Sequence, residues 1–137
     1  MHTIGRKYNH LKPKNFFLDG KGYLRFTKIE KLNYDLNNAF LIANNKDFFD
    51  PEIILGNDSK NADWWMLGLF LYKILFKIDP FFNSKIALYG KIIFPETIEI
   101  SEDAKDIILK LLEKDPIKRL GSHGGIEEIK KHPFFKL

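Results

Sequence analysis

The sequence predicts a mainly α-helical domain with one small β-hairpin near its start. Three observations carry that expectation. They are an apolar run from Trp64 to Phe76, an amphipathic stripe from Ala104 to Leu112, and two short apolar segments flanking Asp19-Gly20-Lys21-Gly22. The rest of the chain is organised around Ala62 to Lys77. From Trp64 to Phe76 every residue except Lys73 is apolar, aromatic or glycine. A surface helix shows a polar stripe, so a helix apolar nearly all round is expected to be buried on all sides. It is too short to cross a bilayer, which takes about 20 apolar residues. Asp63, just before the apolar run, suits the helix N-terminus, where a carboxylate meets free backbone N–H groups.

The other elements follow in order. Asn15 to Leu18 and Tyr23 to Thr27 read as short strands, joined by a loop whose glycines suit a hairpin. From Lys28 to Phe49 periodicity fades and asparagines dominate, and a loop that long is usually functional or disordered. Asp50-Pro51-Glu52 opens a helical turn, with proline at a favoured first position. After Asp79-Pro80, Asn83 or Ser84 caps a short helix expected to run to about Ile92. Ser101 caps the next, whose Ala104, Ile107, Ile108, Leu111 and Leu112 recur at i, i+3, i+4, i+7 and i+8. Asp115-Pro116 ends it. Gly121 to Gly125 reads as a surface loop, Ile126 to Lys131 as a last short helix, and His132-Pro133 as its stop.

Composition narrows the classes. The 137 residues are 45% hydrophobic and 29% charged, which fits one globular domain. Cysteine is absent, which excludes a disulfide framework and thiolate chemistry and fits a reducing compartment. No apolar run follows Met1, so an intracellular setting, cytoplasmic or nuclear, is expected, with no membrane anchor. Asn57-Asp58-Ser59 matches a glycosylation pattern but has no secretory signal to accompany it. Residues 1 to 31 carry eight Lys and Arg against Asp19 and Glu30, a bias that can attract phosphates or acidic partners. No basic–aromatic pattern of a nucleic-acid module occurs. His2, His10, His123 and His132 lack ligand spacing, so no metal site is expected.

A set of motifs carries a resemblance. Tyr8-Asn9-His10-Leu11-Lys12-Pro13-Lys14-Asn15 resembles the catalytic loop of eukaryotic Ser/Thr protein kinases, H-R-D-L-x-x-x-N, with features of the AGC group. Asp50-Pro51-Glu52 stands for A-P-E, and Asp63-Trp64-Trp65-Met66-Leu67-Gly68 for D-W-W-S-L-G. Asp115-Pro116-Ile117-Lys118-Arg119-Leu120-Gly121 stands for D-P-x-x-R-L-G, and His132-Pro133-Phe134-Phe135 resembles the end of that lobe. The resemblance spans most of the chain. It implies a partial kinase domain over 1–137, the C-terminal lobe from the catalytic loop onward, with 28–50 as an activation-segment-like loop. No glycine-rich phosphate loop and no V-A-I-K lysine occur, so the N-terminal lobe is expected to be absent.

The departures bear on function. In the family the catalytic-loop aspartate accepts the substrate proton, and His10 stands there. Asn9 replaces the arginine before it. The metal-binding D-F-G becomes Lys28-Ile29-Glu30, an ammonium in place of a carboxylate. Leu41 occupies the phosphorylatable position and Asn45 that of the substrate-facing threonine. Phosphoryl transfer relies on positioning and on metal ions bridging the phosphates, so both means are weakened together. Lys12 and Asn15 remain as phosphate- and ATP-site remnants. The resemblance also implies that Asp63 accepts bonds from the catalytic-loop backbone and that Glu52 pairs with Arg119.

The expectation is a pseudokinase-like remnant, leaning away from enzyme activity, with no cofactor of its own and Mg-ATP entering only through the resemblance. A protein partner or self-association is expected at an apolar face left by missing upstream helices. Two further readings are an incomplete piece of a longer ATP-dependent kinase and a phosphate- or acidic-ligand binder built on the basic N-terminal third.

Overall fold

A computed structural model describes residues 16–26, 51–55 and 60–136. Its elements in chain order are β1 (Phe16–Leu18), β2 (Leu24–Phe26), α1 (Pro51–Ile54), α2 (Ala62–Phe76), α3 (Ser84–Tyr89), α4 (Glu102–Leu111), α5 (Gly125–Lys130) and a closing 3-10 turn at Pro133–Phe135. The described residues are mainly helical with one antiparallel hairpin, the class the sequence predicts.

The hairpin pairs Phe17 with Arg25 and Leu18 with Leu24. Its turn is held by Asp19, whose Oδ1 accepts from the N–H groups of Lys21 and Tyr23, both at 2.9 Å. Arg25 Nε donates to Asp19 Oδ2 at 2.8 Å. That bond, with the amide of Tyr23, holds the Asp19 carboxyl below its ordinary pKa. Gly22 closes the turn at φ +81°, a conformation that glycine adopts without steric cost.

Helix α2 is the centre of the core. Trp65, Leu69, Tyr72 and Phe76 pack with Ile107, Ile108, Leu111 and Leu112. The stripe read from the sequence of α4 is thus the buried face of that helix. Gly68 lets the two helices approach: a Cβ there would lie 2.8 Å from Leu112 Cγ and 2.9 Å from Leu111 Cβ. Aromatic contacts extend the core. Trp65 stacks on Phe81 with centroids 5.5 Å apart, and Tyr72 meets Phe76 and Phe94. Tyr72 also donates its hydroxyl to Ile93 O at 2.7 Å, which ties the stretch after α3 to the core. Burial raises the pKa of that hydroxyl.

Two sequence expectations are corrected. Helix α2 is not buried on all sides: α4 and the 81–94 stretch cover one face, while Ile74 is 44% exposed and Ile78, just past the helix end, 52%. Asp63 falls in the first turn of α2, at the helix N-terminus the sequence expects for it. Helix α3 ends at Tyr89 rather than Ile92, since Gly90 takes an extended conformation and its N–H closes on Ile86 O; glycine costs about 1 kcal/mol in a helix interior. The caps at both short helices follow the sequence. Asn83 accepts from Ile86 N at 2.9 Å, and Ser101 Oγ from Ala104 N at 3.2 Å.

The last elements are tied back by one histidine. His132 Nδ1 accepts from Phe134 N at 3.2 Å, and its Nε2 lies 2.9 Å from Asp106 Oδ2 on α4. Bonding to Lys110 and to His132 holds the Asp106 carboxyl below its ordinary pKa, against the effect of burial.

The Gly68 contact sets a test. Alanine gains about 0.5–1 kcal/mol of helix propensity over glycine, whereas forcing extra volume into a packed site costs about 1–3 kcal/mol. Gly68→Ala is expected to lower stability by about 1–2 kcal/mol in urea unfolding. A midpoint at or above the wild type would show that Leu112 can turn aside.

Candidate functional site

Four of the sequence-predicted site residues, His10, Lys12, Asn15 and Lys28, lie outside the described residues, as do Asn9, Leu41 and Asn45. Glu52, Asp63 and Arg119 are described, and the structure gathers them around the N-terminus of α2.

The chain reaches Arg119 through a tight turn after α4. Asp115 Oδ1 accepts from Ile117 N at 3.0 Å, and Asp115 O accepts from the N–H groups of Lys118 and Arg119, both at 3.1 Å. The turn directs the Arg119 side chain inward. At the far end Gly121, at φ +94°, lies so near Trp64 that a Cβ would fall 2.9 Å from the indole. A side chain there would be both strained and blocked.

Each N–H of the Arg119 guanidinium has a partner. Its Nη1 and Nη2 donate to Glu52 Oε1 and Oε2, each at 2.8 Å, a bidentate pair. Nη1 also donates to Asn61 O at 3.0 Å, Nε to Glu113 O at 2.9 Å, and Nη2 to Lys114 O at 3.5 Å. These five bonds equal the five N–H donors a guanidinium carries. Its planar face lies over the Trp65 ring, 5.2 Å from the centroid. The two side chains are 0% and 6% exposed. Asn61 joins the same junction, its Nδ2 donating to Pro116 O at 3.0 Å. One guanidinium therefore fastens α1, the start of α2 and the turn after α4.

Asp63 is buried in the first turn of α2, where its carboxylate suits the positive end of the helix dipole. The catalytic-loop backbone assigned to it by resemblance lies outside the described residues.

A second cation, Lys114, lies beside the same junction. Its Nζ donates to Ala87 O on α3 and lies over the rings of Phe81 and Trp65, 4.1 and 4.9 Å from their centroids. Burial pushes its pKa down to about 8; Glu113 opposes this and the Arg119 charge adds to it. The aromatic walls come from residues more than thirty positions upstream, so no local signal marks the lysine.

The Gly121–Gly125 loop carries an internal anion. Glu128 Oε2 accepts from Gly124 N at 2.8 Å and His123 N at 3.2 Å. Against the effect of burial, the bonds from Gly124, Gly121 and His123 lower the Glu128 pKa. A carboxylate thus occupies the amides that a phosphate would need.

Among the described residues no group of three or more His, Asp or Glu is placed to hold a metal ion, and no helix is long and apolar enough to cross a membrane.

The family is shown by comparison. The model for the protein kinase domain matches residues 1–135, and the chain belongs to that family. Its relatives include the Ser/Thr kinase gad8 of Schizosaccharomyces pombe, 37% identical across 98% of this chain and 25% of the relative. YPK1 of Saccharomyces cerevisiae is 34% identical across 98% of the chain and 21% of its own length. The Ser/Thr kinase ypkA of Aspergillus fumigatus is 35% identical across 98% of the chain and 23% of its own length. These are kinases of the AGC type. The chain spans a quarter or less of the length of each.

Two measurements probe the junction. Removing one partner of a buried ion pair costs about 3–5 kcal/mol, so Arg119→Ala is expected to lose that much. Lys118 is 75% exposed and 3.7 Å from Asp115, and Lys118→Ala is expected to change stability by under about 0.5 kcal/mol. Equal unfolding midpoints for the two variants would refute the assignment. For Lys114 the folded pKa is about 8 against an ordinary 10.5. Between those values the unfolded chain holds the extra proton, so stability rises with pH through that window. Relative to Lys114→Met, the wild type should gain stability from pH 8 to pH 10; parallel profiles would rule this out.

Proposed function

We propose that this chain is a pseudokinase-like remnant of an AGC Ser/Thr kinase lobe that serves as an interaction module without phosphotransfer. One contrast carries the reading. The Glu52–Arg119 junction is kept in full, while His10 stands at the base position and Lys28 at the metal position. Phosphoryl transfer depends on a positioned base and on metal ions that neutralise phosphate charge. An imidazole can accept a proton, but an ammonium cannot hold the metal. An intracellular setting belongs to the same proposal. The exposed Ile74 and Ile78 support the interaction role, since apolar surface of this kind favours association.

The fraction of each relative covered, 25% for gad8 and 21% for YPK1, favours a second reading. In it this polypeptide is a piece of a longer kinase whose activity belongs to the whole. Coding sequence upstream of Met1 with a glycine-rich loop and a V-A-I-K strand would select that reading.

The purified chain, given Mg-ATP and a general protein substrate, is expected to transfer no phosphate above background. Transfer abolished by His10→Ala or Lys12→Ala would overturn the leading reading. In size exclusion the chain is expected to elute above monomer mass or with a bound protein. A clean monomer that unfolds cooperatively in calorimetry would count against the interaction role.

A further inference from the structure

Among the described residues the three most exposed large apolar side chains are Phe82, Ile93 and Tyr89, at 83%, 77% and 76%. Apolar residues scattered singly over a surface are ordinary, but these three fall within one stretch of chain, 81–94, and on one side of it. Phe81 and Ala87 are buried in the core, and Ile86, Ile92 and Phe94 pack against it. Phe82 and Ile93 alternate with those inward neighbours and face away. On α3, Lys85 and Tyr89 are four residues apart and share a face. Both are exposed, while Ala87 lies on the opposite, buried face. The outer surface of the stretch is therefore Phe82, Lys85, Tyr89 and Ile93, with Lys91, also exposed, two residues before Ile93.

The charge of this surface has one sign. No Asp or Glu occurs from Pro80 to Pro95, and neither Lys85 nor Lys91 forms an ion pair with a described residue. Asp79, at the edge, is held by Lys73 at 2.8 Å. Glu52 on α1, which packs against α3, is buried against Arg119. We propose that this face seats on an anionic lipid surface: Phe82, Tyr89 and Ile93 enter the headgroup region, and Lys85 and Lys91 meet the anionic headgroups. Apolar and aromatic side chains with lysines beside them suit that interface, because the rings leave water while the ammonium groups stay in it. Attachment of this kind is peripheral and needs no membrane-spanning helix, and none is present among the described residues.

A lipid surface fits this face better than a protein partner does. Among the described residues neither the Phe82 nor the Tyr89 ring packs on another ring, so the apolar side chains project separately. A protein interface needs a core packed as densely as an interior, whereas fluid lipid closes around separate side chains. The two lysines supply the remaining attraction, about fivefold in affinity for each one near an anionic surface. The proposal holds whether or not the chain transfers phosphate.

The test floats the full chain with phosphatidylcholine vesicles, with and without phosphatidylserine, at about 0.1 M salt, where surface charges still attract over about 10 Å. Binding is expected only where phosphatidylserine is present. Lys85→Gln combined with Lys91→Gln should weaken it about 25-fold, and Phe82→Ser about tenfold, each with an unchanged circular dichroism spectrum. Ile117 is 68% exposed elsewhere on the fold, and Ile117→Ser should leave binding unchanged. In Phe82→Trp the added indole should shift its emission to the blue on the same vesicles, which a purely electrostatic contact would not produce. Equal binding without phosphatidylserine, no binding at all, an equal loss in Ile117→Ser, or an unshifted emission would each overturn the proposal. So would a chain that ignores both kinds of vesicle and holds a protein through Phe82.

Discussion

The described part of this molecule depends on one buried guanidinium. Burying a charge costs several kcal/mol unless geometry and hydrogen bonding compensate. Arg119 meets that condition in full, with two bonds to the Glu52 carboxylate and three to backbone carbonyls. The carbonyls matter as much as the carboxylate. Those of Glu113 and Lys114 lie beyond the end of α4, where no helix ladder supplies donors, while that of Asn61 also accepts from Trp64 N and Trp65 N at the start of α2. The guanidinium therefore serves two needs at once, fixing the register between distant segments and satisfying backbone acceptors that folding would otherwise strand.

Close packing of α2 on α4 follows from that register. Gly68 sits against Leu111 and Leu112, and Gly121 against Trp64, each at a distance that excludes a side chain. Arg119 lies over the ring of Trp65, the neighbour of Trp64, and only two residues before Gly121 in sequence. A shift of the turn would disturb the Trp65 ring, which carries Arg119 on one contact, Lys114 on another and Phe81 on a third. Interiors packed at this density transmit small displacements rather than absorb them. The low pKa of Lys114 is a consequence of the same junction, since burial and the Arg119 charge both act on it.

Local signals made much of the fold legible. The i, i+3, i+4 stripe of α4, the Asn83 and Ser101 caps and the Asp19 turn need only near neighbours in sequence. Periodicity alone carries α3 past Gly90, whose extended backbone is a local veto. Hydrophobicity overstates the burial of α2, because it tells that a face prefers cover, not that the described elements supply it. The junction at Arg119 is a different case. Nothing in the periodicity links position 119 to position 52; only the motif resemblance suggested it. Lys114 had no such guide, for its environment is made by Phe81 and Trp65 across the fold. His10, Lys12, Asn15 and Lys28 rest on sequence alone.

Physical cost explains why a scaffold and its chemistry can part company. A buried partner such as Glu52 is held by its neighbours: removing it leaves a stranded charge worth about 3–5 kcal/mol, a large share of a domain's total stability of about 5–15 kcal/mol. Groups that handle substrate and metal face the opposite condition. They must meet water or ligand, so exchanging aspartate for histidine or lysine there leaves no unpaired group in the core and changes stability little. On the reading proposed above, relaxing the demand for phosphotransfer frees the second set while folding still constrains the first. The Glu52–Arg119 junction then persists for a reason independent of catalysis: without it, the bonds that join α1 to the start of α2 and to the turn after α4 are lost, and the Asn61–Pro116 bond is left to share that register with side-chain packing.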